Sequence, residues 1–385
     1  MTNAANLVAE ADRAAASGDL ERAQALLGEA AESGANDSSL FLKLAGVQRA
    51  TGQPDLALAS VHRALAIDPR DFTALLMRAS LLDRLDDAEA PEAWAHAIAQ
   101  KPEGQLPPGL VQAIAQGEQR VAEWQDQRDG KLRAAMAKAE AAADDDTRHR
   151  LDRFRDNILR KKRVYHSEPT HFHYPALPEY EFHPRRAFPW IDQLEAATAE
   201  ITAEFEAVMA AERAELVPYI QYPEHQPLDQ WRALNQSRDW TAIHLLQNGD
   251  RVDANARHCP RTLEILGSCD QPQVRGASPN AMFSLLAPNT AIPAHVGVNN
   301  ARLVCHLPLI VPEGCWFRVG GETRHWRRGE SFLFDDTIEH EAMNPSDELR
   351  VVLIFDVWRP DLTPVERQAI AAAIEAETPG VEAGL

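Results

Sequence analysis

An offset of 34 residues superimposes the start of this chain on itself: Gly18 recurs as Gly52, Ala23 as Ala57, Leu27 as Val61 and Ala30 as Ala64. No other feature constrains the fold as much. A unit of that length is one supersecondary element that cannot bury its apolar face alone, so it must stack on its neighbours. In the second copy Phe41, Leu44 and Ala45 fall on one helical face, Gly52 interrupts, Ala57, Val61 and Ala64 line a returning helix, and Pro69 ends it. This spacing predicts a helix–turn–helix hairpin whose small residues let the two helices approach closely. A third, degenerate copy is expected from about Phe72 to Pro102, where Ala97 and Pro102 stand 33 residues after their counterparts.

The Gly, Ala and Pro positions of these copies resemble the tetratricopeptide repeat. That resemblance implies a concave surface for a protein or peptide partner, with a spacer or dimerisation arm as the alternative. Residues 1–104 are therefore expected to form tetratricopeptide-like repeats. A charged helical linker over 105–173 should follow, its basic run Arg160-Lys161-Lys162-Arg163 read as a solvated helix end. Pro169, Pro175, Pro178, Pro184 and Pro189 then forbid regular helix and mark a domain boundary. His166, His171 and His173 sit on no predicted element that would present them together, and a solvated or capping role is expected for them.

Composition narrows the functions available. With 39 Lys+Arg against 58 Asp+Glu and a net charge of -19, the chain lacks the clustered cations that binding to a phosphate backbone requires, so nucleic acid is excluded as a partner. No apolar run approaches the roughly 18 residues that cross a bilayer. The first eighteen residues carry Glu10, Asp12 and Arg13 where a signal peptide would be apolar. The expectation is a cytoplasmic protein with no membrane partner. Its four cysteines, Cys259, Cys269, Cys305 and Cys315, have neither zinc-site spacing nor the density of a disulfide scaffold.

After an amphipathic helix from Trp190 to about Arg213, the chain reads as short strands at 281–288, 301–311, 315–319, 331–335 and 349–358, the pattern of an antiparallel sandwich or barrel. The polar residues that break their alternation are informative. In the last strand Leu349, Val351, Leu353, Phe355 and Val357 share one face, and Arg350 shares the other with Val352, Ile354, Asp356 and Trp358. Arg302, Val304 and His306 share a face of their strand, as Met282, Ser284 and Leu286 do of theirs. Burying such groups unpaired costs several kcal/mol each, so an inward face needs either internal partners or a polar ligand. His295 and His340, both at strand ends, could share a metal across a barrel mouth.

At this point Ser284, the stretch Pro293-Ala294-His295-Val296-Gly297 through Asn300-Ala301-Arg302-Leu303-Val304-Cys305-His306, the stretch Phe334-Asp335-Asp336-Thr337-Ile338-Glu339-His340-Glu341, and Arg350 through Asp356-Val357-Trp358 together resemble the aspartyl/asparaginyl β-hydroxylase family of iron(II)- and 2-oxoglutarate-dependent oxygenases. Weaker similarity runs upstream through Phe188-Pro189-Trp190, Asp239-Trp240-Thr241 and Cys259-Pro260, so that 174–365 is expected to be the oxygenase domain and 366–385 a C-terminal helix and tail. The fold class implied is α+β multidomain: helical repeats followed by a double-stranded β-helix of the jelly-roll or cupin kind.

By this resemblance His295 and His340 bind Fe(II), Arg350 with Ser284 holds the distal carboxylate of 2-oxoglutarate, and His306 hydrogen-bonds the cosubstrate near the metal. The activity implied is hydroxylation, with O2, of an Asp- or Asn-type residue in a peptide or protein, or of a free amino acid. Two positions depart from the commoner pattern. Gly297 stands where most oxygenases of the wider class carry a third, carboxylate ligand, as is this family's habit. Val304 stands where members often place an arginine that contacts the metal-proximal carboxylate, for which Arg302 is the candidate substitute. Asp335 and Asp336 are read as structural rather than as replacement ligands. The rival readings are a repeat scaffold with a degenerate, non-catalytic oxygenase domain and an iron halogenase using the position left open at Gly297.

Overall fold

The computed structural model describes residues 2–34, 36–211, 216–223 and 225–377. The last residues of the expected C-terminal tail and Arg213 lie outside them. The chain divides into two compact units, 1–159 and 160–385.

The first unit is helical. Hairpins pair α1 (Thr2–Ala16) with α2 (Leu20–Glu32), α3 (Ser38–Ala50) with α4 (Pro54–Ile67), and α5 (Phe72–Arg84) with α6 (Ala90–Ala99). The repeat is visible in its turns. Gly18 and Gly52 hold φ of 84° and 78°, and the third copy meets the same requirement at the same offset with Asp86 at 53°, since a short polar side chain tolerates the left-handed region. Asp37 and Asp71, again one period apart, cap α3 and α5 by accepting backbone N–H bonds from Ser39 and Ala74. Ala23 and Ala57, Leu27 and Val61, Ala30 and Ala64 are all buried in one core.

The degenerate copy places Trp94 where Leu27 and Val61 stand earlier, and the next helix adapts to it. α7 (Pro108–Ala142) passes Trp94 at Gly117, where any Cβ would overlap the indole ring. Alanine is the better helix former by about 1 kcal/mol, but overpacking costs about 1–3 kcal/mol. Gly117→Ala should therefore lower the stability of this unit in urea denaturation, and Trp94→Leu in the same chain should relieve much of the loss. α8 (Asp145–Ile158) folds back with Arg155 buried against Asp129, Glu140 and Asp152.

In the second unit the expected single helix after Trp190 is two, α9 (Ile191–Ala196) and α10 (Thr198–Ala210). The strands follow as β1 (Val217–Pro218), β2 (Trp240–Gln247) and β3 (Asp250–Arg251). After the short helices α11 (Asp253–Ala256) and α12 (Pro260–Leu266) come β4 (Ala281–Leu286), β5 (Thr290–His295), β6 (Arg302–Ile310), β7 (Trp316–Val319), β8 (Glu322–His325), β9 (Phe332–Phe334), β10 (His340–Asn344) and β11 (Arg350–Trp358). Helix α13 (Pro364–Glu377) closes the described chain.

All pairings between these strands are antiparallel. A seven-stranded sheet runs β1-β2-β4-β11-β6-β9 with β3 on β2, and a four-stranded sheet runs β5-β10-β7-β8. The large sheet is buried on both faces, which is why β4, β6 and β11 read as almost continuous apolar runs. One face, with Val351, Leu353, Phe355 and Val357, packs on Leu194, Ile201 and Phe205 of the helices. The other, with Met282, Val304, Val352 and Ile354, packs on Ile292, Phe317, Val319 and Ala342 of the small sheet. The polar residues that interrupt the apolar pattern lie on this second face. No helix among the described residues is long and apolar enough to cross a membrane.

Candidate active site

Strand register creates the site. β5 and β10 come from opposite ends of the motif region, yet antiparallel pairing sets His340 directly opposite His295, and directly opposed residues in such a ladder are close neighbours. Their rings lie 4.0 Å apart between centroids. Each Nδ1 sits on a backbone carbonyl, that of Pro293 at 2.8 Å for His295 and that of Ile338 at 3.1 Å for His340. With Nδ1–H donating to a carbonyl, Nε2 carries the lone pair. Burial keeps both rings neutral: His295 is pushed well below the ordinary histidine value by burial and then by His340, and His340 is lowered to about 4, chiefly by burial. Two adjacent imidazoles with free lone pairs form an incomplete metal-ligand set.

The facing wall of the large sheet holds the other residues singled out from the sequence. Ser284 pairs with Val352, His306 with Ile354, and Arg302 with Trp358, while Arg350 pairs with Leu286. Arg350 and Arg359 are the two largest fully buried side chains, and they differ sharply. Arg359 pairs with Asp335 at 2.7 Å, an arrangement that fixes a loop. Arg350 has no carboxylate partner among the described residues. Its Nη1 reaches only the carbonyl and hydroxyl of Ser284, both at 3.4 Å, its Nε has no partner, and the face of Trp326 covers it with the ring centre 4.7 Å from Cζ. Burial lowers its pKa to about 10. His306, also pushed well below its ordinary value by burial, Arg350 and His340, has an unpartnered Nδ1 amid Phe317, Phe332 and Phe334.

Arg302 is held differently. Its Nη2 meets Asp336 at 3.1 Å, leaving Nη1 and the other Asp336 oxygen unpartnered. Burial opposes its charge, but Asp336 and Asp356 more than offset this. Asp336 also accounts for Gly297, because a Cβ built at 297 would overlap the Asp336 carboxylate. A carboxylate therefore occupies the space a side chain at 297 would need. Val304 is buried in the apolar layer. Gly297→Ala should cost about 1–3 kcal/mol through overpacking, measured by thermal or urea unfolding, because the backbone at 297 and the Arg302–Asp336 pair must shift to admit one methyl.

Three features of the site were not read from the sequence. The proline-rich stretch after 163 is a strap, not simply a boundary: the backbone N–H groups of Glu168, Thr170 and His171 donate to the carbonyls of Thr337, Gly297 and Val298, tying down the loops beside both histidines. His166, His171 and His173 stay exposed on it, His166 against Glu179 at 2.9 Å. Second, Trp231 and Trp240 wall His295, with ring centroids 4.9 and 6.4 Å away. Third, Tyr219 stacks on Trp240 at 3.7 Å. Aromatic residues scattered from 219 to 240 were the available signal. The four cysteines are buried; burial raises Cys259 and Cys269 to about 12, so neither is a nucleophile at neutral pH.

A family model described as aspartyl/asparaginyl beta-hydroxylase matches residues 195–360. The ornithine lipid ester-linked acyl 2-hydroxylase of Rhizobium tropici is 31% identical over 202 residues, which cover 51% of this chain and 67% of that protein. The chain belongs to the aspartyl/asparaginyl β-hydroxylase family. Other members are similar over the same region. Aspartate beta-hydroxylase domain-containing protein 2 of Xenopus tropicalis is 33% identical across 53% of this chain and 54% of its own length. Human aspartyl/asparaginyl beta-hydroxylase is 30% identical across 50% of this chain and 26% of its own. The chain thus spans about half the length of the first relative and a quarter of the second. The family match contains every residue of the two-histidine and arginine walls, from Ser284 to Arg350.

Proposed function

We propose that the second unit is an Fe(II)- and 2-oxoglutarate-dependent hydroxylase whose two sheets form a double-stranded β-helix. The observation that carries this reading is Arg350, a fully buried guanidinium without a carboxylate, beside a hydroxyl and across from two neutral histidines. A lone buried cation is costly unless an anion completes it, and its planar fork matches a carboxylate. The donor set suits both groups: the free Nε2 atoms of His295 and His340 would hold the metal, Arg350 and Ser284 would take one carboxylate of 2-oxoglutarate, and the unpartnered Nδ1 of His306 would meet the cosubstrate. When bound, iron and 2-oxoglutarate supply the oxidising power to place one oxygen atom of O2 on a C–H bond, with succinate and CO2 as the other products.

The protein's own part is placement and exclusion of water. The carbonyls of Pro293 and Ile338 orient the histidines, the aromatic wall of Phe317, Phe332 and Phe334 keeps the pocket dry, and Trp326 holds the Arg350 fork in one plane. The carboxylate of Asp336 beside Gly297 makes that space unfavourable for a halide, which argues for hydroxylation over halogenation. Four thiols without a disulfide suit a reducing, cytoplasmic setting. The repeats suit a peptide or protein substrate or partner, and an Asp- or Asn-type residue is the first class to test. A second reading, hydroxylation of an acyl chain on an amino lipid, is favoured by the match to the ornithine lipid acyl 2-hydroxylase, which covers 67% of that protein.

Protein reconstituted with Fe(II) without oxygen, then given 2-oxoglutarate and air in chloride buffer, should form succinate only when iron is present. Asp/Asn peptides, free amino acids and acylated amino lipids offered in turn should yield a product heavier by one oxygen from one of them. A chlorinated main product would select the halogenase reading. No iron-dependent succinate with any substrate would select the scaffold reading.

A further inference from the structure

On the wall that carries Arg302 and His306 the residue between them on the same face, Val304, offers no polar group, and Tyr219, from outside the β-sheet motifs, packs against the same apolar layer. Tyr219 follows β1, and its backbone N–H donates to the Trp240 carbonyl at 2.9 Å. Its ring lies flat on Trp240, with 8° between planes and 3.7 Å between centroids. Trp240 in turn donates its indole N–H to Ser284 Oγ at 3.1 Å, the same hydroxyl that meets Arg350. The stack therefore fixes the phenol against the proposed cosubstrate pocket. Its hydroxyl makes no hydrogen bond among the described residues, although Arg302, Asp336 and Arg350 all act on it electrostatically. Arg302 is engaged by Asp336 through Nη2 and keeps its Nη1 without a partner, so the phenol is a further uncommitted donor within the electrostatic reach of both guanidiniums.

We propose that the Tyr219 hydroxyl is a cosubstrate-binding group, donating a hydrogen bond to a carboxylate oxygen of bound 2-oxoglutarate at the end turned towards Arg302. This rests on the 2-oxoglutarate reading of the pocket. The hydroxyl is suited to donate at neutral pH, because burial above all pushes its pKa up to about 12. A hydrogen bond to a charged group adds enough affinity to be read directly.

The test uses the full chain with Mn(II) in place of Fe(II), so that binding is measured without turnover. Tyr219→Phe keeps the ring on Trp240 and removes only the hydroxyl. Calorimetry should show 2-oxoglutarate binding about 10- to 100-fold weaker in the variant, with Mn(II) affinity and thermal midpoint unchanged. The chain has five tyrosines, so NMR of 13Cζ-labelled tyrosine, assigned by Tyr→Phe variants at each position, gives a second reading on the wild-type protein: the Tyr219 signal should move when 2-oxoglutarate is added. Binding within two-fold of wild type, or an unmoved Tyr219 signal, overturns the role of this residue alone. Absence of 2-oxoglutarate binding to wild-type, Mn(II)-loaded protein overturns it together with the reading on which it rests.

Discussion

Replacing Arg350 by methionine should weaken 2-oxoglutarate binding sharply while making the ligand-free protein more stable. Truncating one member of a buried charge pair costs about 2–5 kcal/mol, so calorimetry of 2-oxoglutarate should show a loss on the order of 30-fold to several thousand-fold. Stability should move the other way, because the folded chain without ligand buries this cation with only two long hydrogen bonds to Ser284. The fall of its pKa from 12.5 to about 10 corresponds to roughly 3 kcal/mol at neutral pH. A lowered value on a base means that folding disfavours its proton. The penalty is therefore fully present below about pH 10 and fades as the pH rises towards the unfolded value. Arg350→Met should remove part of it, raising the urea midpoint at pH 7. Arg359→Met is the control: its Asp335 partner would be left buried, and a loss of about 3–5 kcal/mol is expected. If Arg350→Met destabilises as Arg359→Met does, Arg350 is a structural residue and the anion pocket is not there.

His295→Ala and His340→Ala should each eliminate iron binding, measured by calorimetry of Fe(II) without oxygen or of Mn(II) as a stand-in. Among the described residues no third His, Cys, Asp or Glu joins the pair in a ready-made metal cluster, so no spare protein ligand would compensate. Both rings are held neutral by burial, His340 down to about 4. Protons should therefore compete with the metal only in acid: affinity should stay nearly flat from about pH 8 to pH 5 and fall below that. Unfolding midpoints near wild type would separate loss of the ligand from loss of the fold. Metal affinity at the wild-type level in either variant would remove the pair from the metal site.

Much of the architecture was legible in the chain because it is periodic. Gly18 and Gly52 mark hairpin turns through the left-handed backbone they allow, and the alternation in 349–358 separates Val351, Leu353 and Phe355 from Arg350, Val352 and Ile354 with no other information. The strand ends were less clear. β5 and β10 hold too few apolar residues to stand out, and β2 was missed although it is one of the longer strands, since its solvent-free environment removes the alternation on which a reading depends. The helix expected from Trp190 breaks at Ala197, a position with no glycine or proline to announce it.

Residue spacing by itself determined which side chains share a strand face, because side-chain direction in a strand follows from position alone, and the motifs carried the resemblance of the second unit to its family. They also determined the stacked hairpins, because a 34-residue unit cannot bury its own face. Only the tertiary structure decided which charges are satisfied. Arg302, Arg350 and Arg359 look alike in the sequence, yet Asp336 meets the first, Asp335 the third, and no carboxylate meets the second. The same is true of Gly297, whose missing side chain makes room for Asp336, and of Tyr219, which stacks on Trp240. Pairing across a fold depends on register and loop path between residues distant in the chain, and local pattern carries no record of either.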